Sequence, residues 1–472
     1  MPLILGSQSA TAAAGYSIDN SCMFNRADSA KLAITFGSAG DLRKWTLSFW
    51  LKRGNITQTQ RIMVAGDGSN NNLFGYVAND TLDYLCYTTR TPANQGNLLT
   101  NRLFRDPSAW YHYVFVWDTD NATADLRLRM YINGTEETSF SADVNEENAD
   151  SIWNSAVEHQ IAKGWDDQYF DGYIAEAVFT DGQVYAPSDF GEFNSDSPTI
   201  WQPTDPSGLT MTGNSFWLDF ADSADLGNDV SGNNNDFTST NLAATDQMTD
   251  TSTNNFATGN PLYKQDGTFS EGNLAYTIAA SDFDSASSTF GAANGKWYFE
   301  SKITATASGT TRNAFGICDA RDANLVAEDE FGQASGRVGD TIGWTGLAGT
   351  QVYKNGSSEY AGTTYTTDDI LSCAIDLDNG FVYLRKNAEA WMNSGDPTSG
   401  ATGTGGVTIT TGETYLFGNT AYGGAAFIMN YGNPPYANTS DAADANGYGR
   451  FELAPPSGYY AMCTKNLSEF GG

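Results

Sequence analysis

Histidine, cysteine and positive charge are all scarce in this sequence, and each shortage narrows what the chain can do. Only His112 and His159 occur in 472 residues, with no H-E-x-x-H spacing, no G-x-S-x-G elbow and no P-loop, so zinc, Ser–His and phosphate chemistry find no footing. The five cysteines (Cys22, Cys86, Cys318, Cys373 and Cys463) are odd in number, widely spaced and flanked by apolar or aromatic residues. They read as reduced core thiols and not as a disulfide frame or a C-x-x-C metal site. Lys and Arg total 24 against 56 Asp and Glu, a formal net charge of −32. Such a chain is repelled by nucleic-acid phosphates and anionic lipid, so no nucleic-acid partner is expected. No apolar run of about 18 residues is present, which argues against membrane insertion. The opening MPLILGSQSATAAAG lacks both the basic n-region and the apolar length of a signal peptide, so the usual export route is not expected.

Aromatic residues and glycine, by contrast, are plentiful. With 11 Trp, 24 Tyr, 26 Phe and 49 Gly, and charged residues at 17 %, the chain can bury large cores but has little of the Glu/Lys/Ala-rich material of exposed helices. Its acidity is therefore not that of a disordered tail. The length exceeds one small domain, and the expected fold class is all-β with two β-sandwich domains. Short runs of Val, Ile, Tyr, Phe and Trp alternate with Gly/Asn/Asp/Ser clusters, the punctuation of sandwiches. In WTLSFWLKR (45–53), Trp45, Leu47, Phe49 and Leu51 alternate with Thr46, Ser48, Trp50 and Lys52. Period two puts the first set on one face and leaves Trp50 to pack on the other or to meet a ligand. WYHYVFVWD (110–118) and LRLRMYIN (126–133) repeat the pattern, and Asn133-Gly134 predicts a type I′ turn.

Near residue 200 the composition shifts to Asp, Asn, Ser and Thr, too polar for a core of its own. Yet Phe216, Trp217, Leu218, Phe220 and Phe256 need a surface to pack on, so the expectation is an ordered connector and not a flexible linker. The resulting division is an N-terminal arm over 1–19, a first sandwich over 20–200, a connector over 201–262 and a second β domain over 263–472. The arm is either a docking segment or a disordered terminus.

Three stretches in order, WTLSFWLKR, then WYHYVFVWD with RMYINGTEE, then FDGYIAEAVFTDGQVYAP (170–187), resemble a laminin-G-like, concanavalin A-like jelly roll over 20–200. Farther on, KWYFESKI, AFGIC, DTIGWTG, CAIDLDNGFVYLRKNAEAW and AFIMNYG resemble a SPRY-like sandwich, with Trp344 and Asp378-Asn379-Gly380 in place. Ala388 stands where that family's Lys-Asn-Gly turn has glycine. The whole arrangement, with SGNNNDFT in the connector and the ending PPSGYYAMCTKNLSEF, is similar to virion-associated proteins of marine tailed bacteriophages. This last resemblance implies a virion structural protein at the exposed surface of the particle, in the tail fibre or spike class, partnered by other virion proteins and by a host cell-surface glycan or protein. It also implies a homo-oligomer, trimeric by analogy with fibres. A capsid or tail decoration subunit without receptor binding and a polysaccharide-degrading glycoside hydrolase are the alternatives.

Against the hydrolase, residues 20–200 carry no clean pair of carboxylates at i, i+2 or i+4 on a strand. Glu300 is a lone acid on a strand, and AEDEFG (327–332) places its acids in consecutive turn positions. No enzymatic activity is expected. Sugar binding asks only for aromatic platforms and hydroxyl-bonding groups. WDDQYF (165–170) supplies Trp165, Asp166, Asp167 and Tyr169 as a candidate, with a hydrated turn as its plainer reading. Asp166 and Asp167 could hold Ca²⁺, which the jelly-roll resemblance permits, although they lack EF-hand spacing. In the second domain Tyr353, Tyr360 and Tyr422 lie in loop-like stretches that could meet a partner. His112 reads as a packed strand residue and His159 as part of a solvated loop. Asp376 to Gly380 reads as a hairpin turn.

Overall fold

The computed structural model describes residues 15–56, 58–66, 71–76, 81–86, 95–164, 167–263, 266–279, 282–306, 313–322, 330–333, 335–346 and 350–471. The fold is all-β, and contacts divide it into two units, one from the described part of Ala12–Thr253 and one from Asn254–Gly472.

The first unit is a sandwich of two eight-stranded sheets with antiparallel pairing. One sheet runs in the order Thr135–Glu136, Leu128–Ile132, Trp110–Asp118, Lys44–Arg53, Gly172–Asp181, Ser21–Phe24 and Gln247–Met248, with Phe216–Leu218 also paired to Gly172–Asp181. The facing sheet runs Phe140–Asn145, Gly96–Leu103, Thr81–Cys86, Asn71–Tyr76, Gln60–Gly66, Glu158–Ile161, Lys31–Thr35 and Thr238–Thr240. Between them Trp45, Leu47, Phe49 and Leu51 point into the core, as their alternation predicts. Trp45 stacks on Trp117 at 5.8 Å. The expected I′ turn joins Leu128–Ile132 to Thr135–Glu136, with φ of 48° at Asn133 and 75° at Gly134.

Residues 201–253, read from the sequence as part of a connector, are built into this unit. Phe216–Leu218 and Gln247–Met248 extend one sheet and Thr238–Thr240 the other, while Phe216, Leu218, Phe220 and Phe237 lie in its core. The polar SGNNND turn between them is knitted to the same unit. Asp229 accepts from the backbone N–H groups of Trp217, Ser231 and Asn235, and the side-chain amides of Asn233 and Asn235 donate to the Ser215 carbonyl. Its acids and amides thus satisfy backbone groups that would otherwise stay unpaired beside a core. Phe256 belongs to the second unit, where it bridges Cys463.

The second unit packs a seven-stranded sheet on a six-stranded one. The first runs Thr268–Ser270, Ala275–Thr277, Ala426–Asn430, Lys296–Ala305, Ile370–Asp376, Phe381–Lys386 and Val407–Thr408; the second runs Phe283–Ala292, Tyr415–Tyr422, Ala314–Asp319, Thr341–Thr345, Gln351–Lys354 and Ser357–Ala361. Phe299 is the hub of the core, 4.9 Å from Phe315 and 4.7 Å from Phe417. Asp376 to Gly380 closes the hairpin between Ile370–Asp376 and Phe381–Lys386, with Gly380 at φ 77° and Asn379 donating to Asp376. Cys22, Cys318, Cys373 and Cys463 are free, buried thiols. Among the described residues no helix is long and apolar enough to cross a membrane.

Candidate functional site

A central strand buried on both faces sets up the site. The off-core residues of Lys44–Arg53, namely Thr46, Ser48, Trp50 and Lys52, are 0 %, 2 %, 3 % and 0 % exposed, because the chain after residue 183 folds back over them. Thr46 donates to the Gln183 carbonyl. Ser48 meets His112, and Trp50 stacks on the His112 imidazole at 4.7 Å. Lys52 reaches Asp250.

His112 ties this layer together. The indole Nε1–H of Trp201 donates to its Nδ1 at 3.0 Å, so Nδ1 is the bare nitrogen and Nε2 carries the proton that goes to Ser48 Oγ at 2.8 Å. Burial pushes the His112 pKa down to about 3, which keeps the ring neutral. Trp201 is itself wedged in place. Its indole lies against Gly134 and Gly191, where a Cβ on either glycine would strike the ring. Gly134 is thus required twice, by its left-handed φ and by this contact.

Beside this layer opens a groove of about 400 Å³. Trp50 lines it with Trp110 and Tyr111 from the adjacent strand, Phe104 from just after Gly96–Leu103, and Phe193 and Trp201 from the short ribbon Gly191–Phe193/Trp201–Pro203. Its polar members are Arg102, Asn133, Thr135 and Thr199. Leu103, Phe193 and Ile200 are 45 %, 46 % and 52 % exposed, so an apolar rim surrounds the opening. The indole N–H groups of Trp201 and Trp110 are used inward, to His112 and to Asp250, each at 3.0 Å; Phe104, Trp50 and Trp110 are buried, and the rings that reach the opening are the exposed Phe193 and the half-buried Tyr111 and Trp201. Asn133 Oδ1 accepts from the His112 backbone N–H, leaving its amide N–H groups for a ligand. Arg102 is the charged residue of the lining, 3.8 Å from Glu137. Burial raises the Tyr111 hydroxyl to about 12, while the charges of Arg102 and Arg53 pull it back. No Asp or Glu is among the described residues that line the groove.

The described residues among the candidates read from the sequence do not line this groove. Trp165 and Asp166 fall outside the described residues. Asp167 is exposed at φ 56° with its carboxylate 3.0 Å from Lys163, and Tyr169 is half-buried under the same ammonium. Among the described residues no group of three or more His, Cys, Asp or Glu is placed to hold a metal. Tyr360 pairs with the buried Val352 and packs on the second core, whereas Tyr353 points to the opposite face of that hairpin. Tyr422 ends a different strand, against Phe283 at 4.9 Å.

His159, expected in a solvated loop, is fully buried. It lies in the strand Glu158–Ile161, whose alternation turns His159 and Ile161 inward, the ring packing against Phe36 and Trp153. Glu300, legible only as a lone strand acid, proves to be the centre of a buried network. Its Oε1 accepts from Tyr298 and the Leu453 backbone N–H, and its Oε2 from Asn430 and the Glu452 backbone N–H, at 2.8–3.1 Å.

Residues 26–184, about a third of the chain, match the family described as the concanavalin A-like lectin/glucanases superfamily. No curated protein matches the sequence. Similar solved structures include the SPRY domain of human HERC1 (14 % identity, 36 % of this chain and 96 % of that one, TM-score 0.29). Others are a heptameric SAP-like pentraxin from Limulus polyphemus (12 %, 36 % and 80 %, 0.28) and the TRIM65 PSpry domain (10 %, 37 % and 89 %, 0.27). The sheet orders above, and not these scores, carry the assignment of two β-sandwiches.

Proposed function

We propose that the chain binds carbohydrate in the groove of its first sandwich and does not cleave it. The observation that carries this reading is an open groove at whose mouth the exposed Phe193 and the half-buried Tyr111 and Trp201 present ring surface, the Trp201 N–H being satisfied inside the protein. Such rings stack on the C–H faces of pyranoses while Arg102, Asn133, Thr135 and Thr199 are placed to bond hydroxyls. Glycoside hydrolysis needs two carboxylates about the scissile bond, and the described lining supplies none. The match of residues 26–184 to a superfamily of lectins and glucanases supports carbohydrate as the ligand class. The setting we propose is the one the sequence resemblance implies: the exposed surface of a tailed-bacteriophage particle, where repeated copies turn weak attachment to host glycan into avidity.

The test is a glycan array with the purified chain, followed by titration of the best ligand. Trp201→Ala and Phe193→Ala should each weaken binding about tenfold or more, the effect of removing a central aromatic contact. A blank array, together with undiminished host adsorption by particles lacking the protein, sinks the reading. It would favour a decoration subunit whose apolar rim at Leu103, Phe193 and Ile200 is covered by another protein.

A further inference from the structure

We propose that Lys52 and Asp250 become joined by an intramolecular isopeptide bond, Lys52 Nζ to Asp250 Cγ, formed by the folded chain itself. The Nζ lies 2.7 Å from Asp250 Oδ2, and the two side chains are 1 % and 0 % exposed. An ion pair so placed is expensive, because desolvation costs several kcal/mol per charge and mutual attraction offsets it only in part. Condensation removes both charges and leaves a neutral amide, which needs far less solvation.

The chemistry balances without a cofactor. Transfer of one proton from the ammonium to the carboxylate gives a neutral amine and a carboxylic acid. The Nζ lone pair attacks Cγ, the bond from Cγ to Oδ2 breaks, and the hydroxyl leaves with an amine proton as water. Three surrounding features serve these steps. Trp110 Nε1 donates at 3.0 Å to Oδ1, the oxygen that must carry negative charge in the tetrahedral intermediate. Burial pushes the Lys52 amine down towards its neutral, nucleophilic form, against the pull of Asp250 and then of Asp106. The rings of Trp50, Trp110 and Tyr173 pack in the same cluster, excluding the water that would reverse the reaction. Two reactants fixed at van der Waals contact also gain an effective concentration far above any reached in solution. The bond would fasten the folded-back segment to the central strand of the sheet, whatever ligand the groove takes.

Intact mass spectrometry of the full-length chain, denatured and reduced, reads the bond directly. The expected mass lies one water, about 18 Da, below the sum of the residues, and a tryptic digest contains a branched peptide joining Lys52 to Asp250. Lys52→Arg and Asp250→Ala should restore the full mass. A wild-type chain at full mass overturns the proposal. So does a deficit of one water that maps to a succinimide at another aspartate or that persists in Lys52→Arg. The wild-type measurement decides the matter even where a variant fails to fold.

Discussion

Glu300 occupies a site with four hydrogen-bond donors, two on each oxygen; Tyr298 and Asn430 also reach Ser372 and the Arg450 carbonyl, whereas the backbone N–H groups of Glu452 and Leu453 are fixed on the carboxylate. Burial nevertheless pushes its pKa up to about 7, with the donors opposing that rise. Because the folded value lies above the unfolded one near 4.5, the folded state holds a proton over that interval that the unfolded state has released. The stability it lends is complete below the unfolded value and is lost as pH rises through about 7. Across that window the loss amounts to about 3 kcal/mol. Glu300→Gln can accept on one oxygen only, so a buried backbone N–H is left without a partner at a cost of about 1–3 kcal/mol. The expected outcome is a second unit that loses stability from pH 5 to 8 in the wild type, and a variant that starts lower but shows a flatter profile. Urea unfolding read by hydrogen exchange in the Lys296–Ala305 strand checks this; parallel pH profiles for the two proteins would contradict it.

At the level of elements, the hairpin from Leu128–Ile132 to Thr135–Glu136 does more than reverse the chain. Its Gly134 is the surface on which the Trp201 indole rests. Gly134→Val adds a β-branched side chain where φ is 75° and where the ring already lies, so the ribbon Gly191–Phe193/Trp201–Pro203 must lift. We expect a stability loss of about 1–3 kcal/mol from strain and overpacking. Binding of any groove ligand should be lost, measured by titration beside the urea midpoint. Retained binding would show that the ribbon is not part of the site. The hairpin itself was legible, since Asn-Gly between alternating runs specifies I′ geometry locally. Its second duty was not, because Trp201 arrives from a segment far along the chain. The same holds for the groove as a whole. Residues 50, 102–104, 110–111, 132–135 and 193–201 meet only through sheet order and a fold-back, and neither leaves a periodic trace. Trp50, out of phase with its strand's core face, was the visible hint. His159 misleads in the opposite way: polar neighbours suggest a loop, but a strand paired on both sides can still turn its histidine inward.

On the scale of the whole molecule, the two sandwiches have separate cores, and the question is where the first one ends. A boundary near residue 200 follows from composition, since the stretch after it is rich in Asp and Asn and looks unable to build anything. The structure shows that this stretch borrows a core instead of making one, placing Phe216, Leu218, Phe220 and Phe237 among the first unit's buried residues. It also delivers Asp250 to Lys52. A fragment of residues 15–200 would therefore expose the sheet edges that Phe216–Leu218 and Thr238–Thr240 now cover. It would also leave Lys52 buried without Asp250, a loss of about 3–5 kcal/mol for that charge alone. Net stabilities of domains this size are about 5–15 kcal/mol, so the summed losses should suffice to unfold it. A fragment of residues 15–253 keeps the whole core and should fold. The expected result is one cooperative thermal transition and dispersed amide NMR signals for 15–253, against aggregation or a non-cooperative melt for 15–200. Equal cooperativity in both would mean that the segment after 200 is a passenger on the sandwich and that the fold-back does not set its stability.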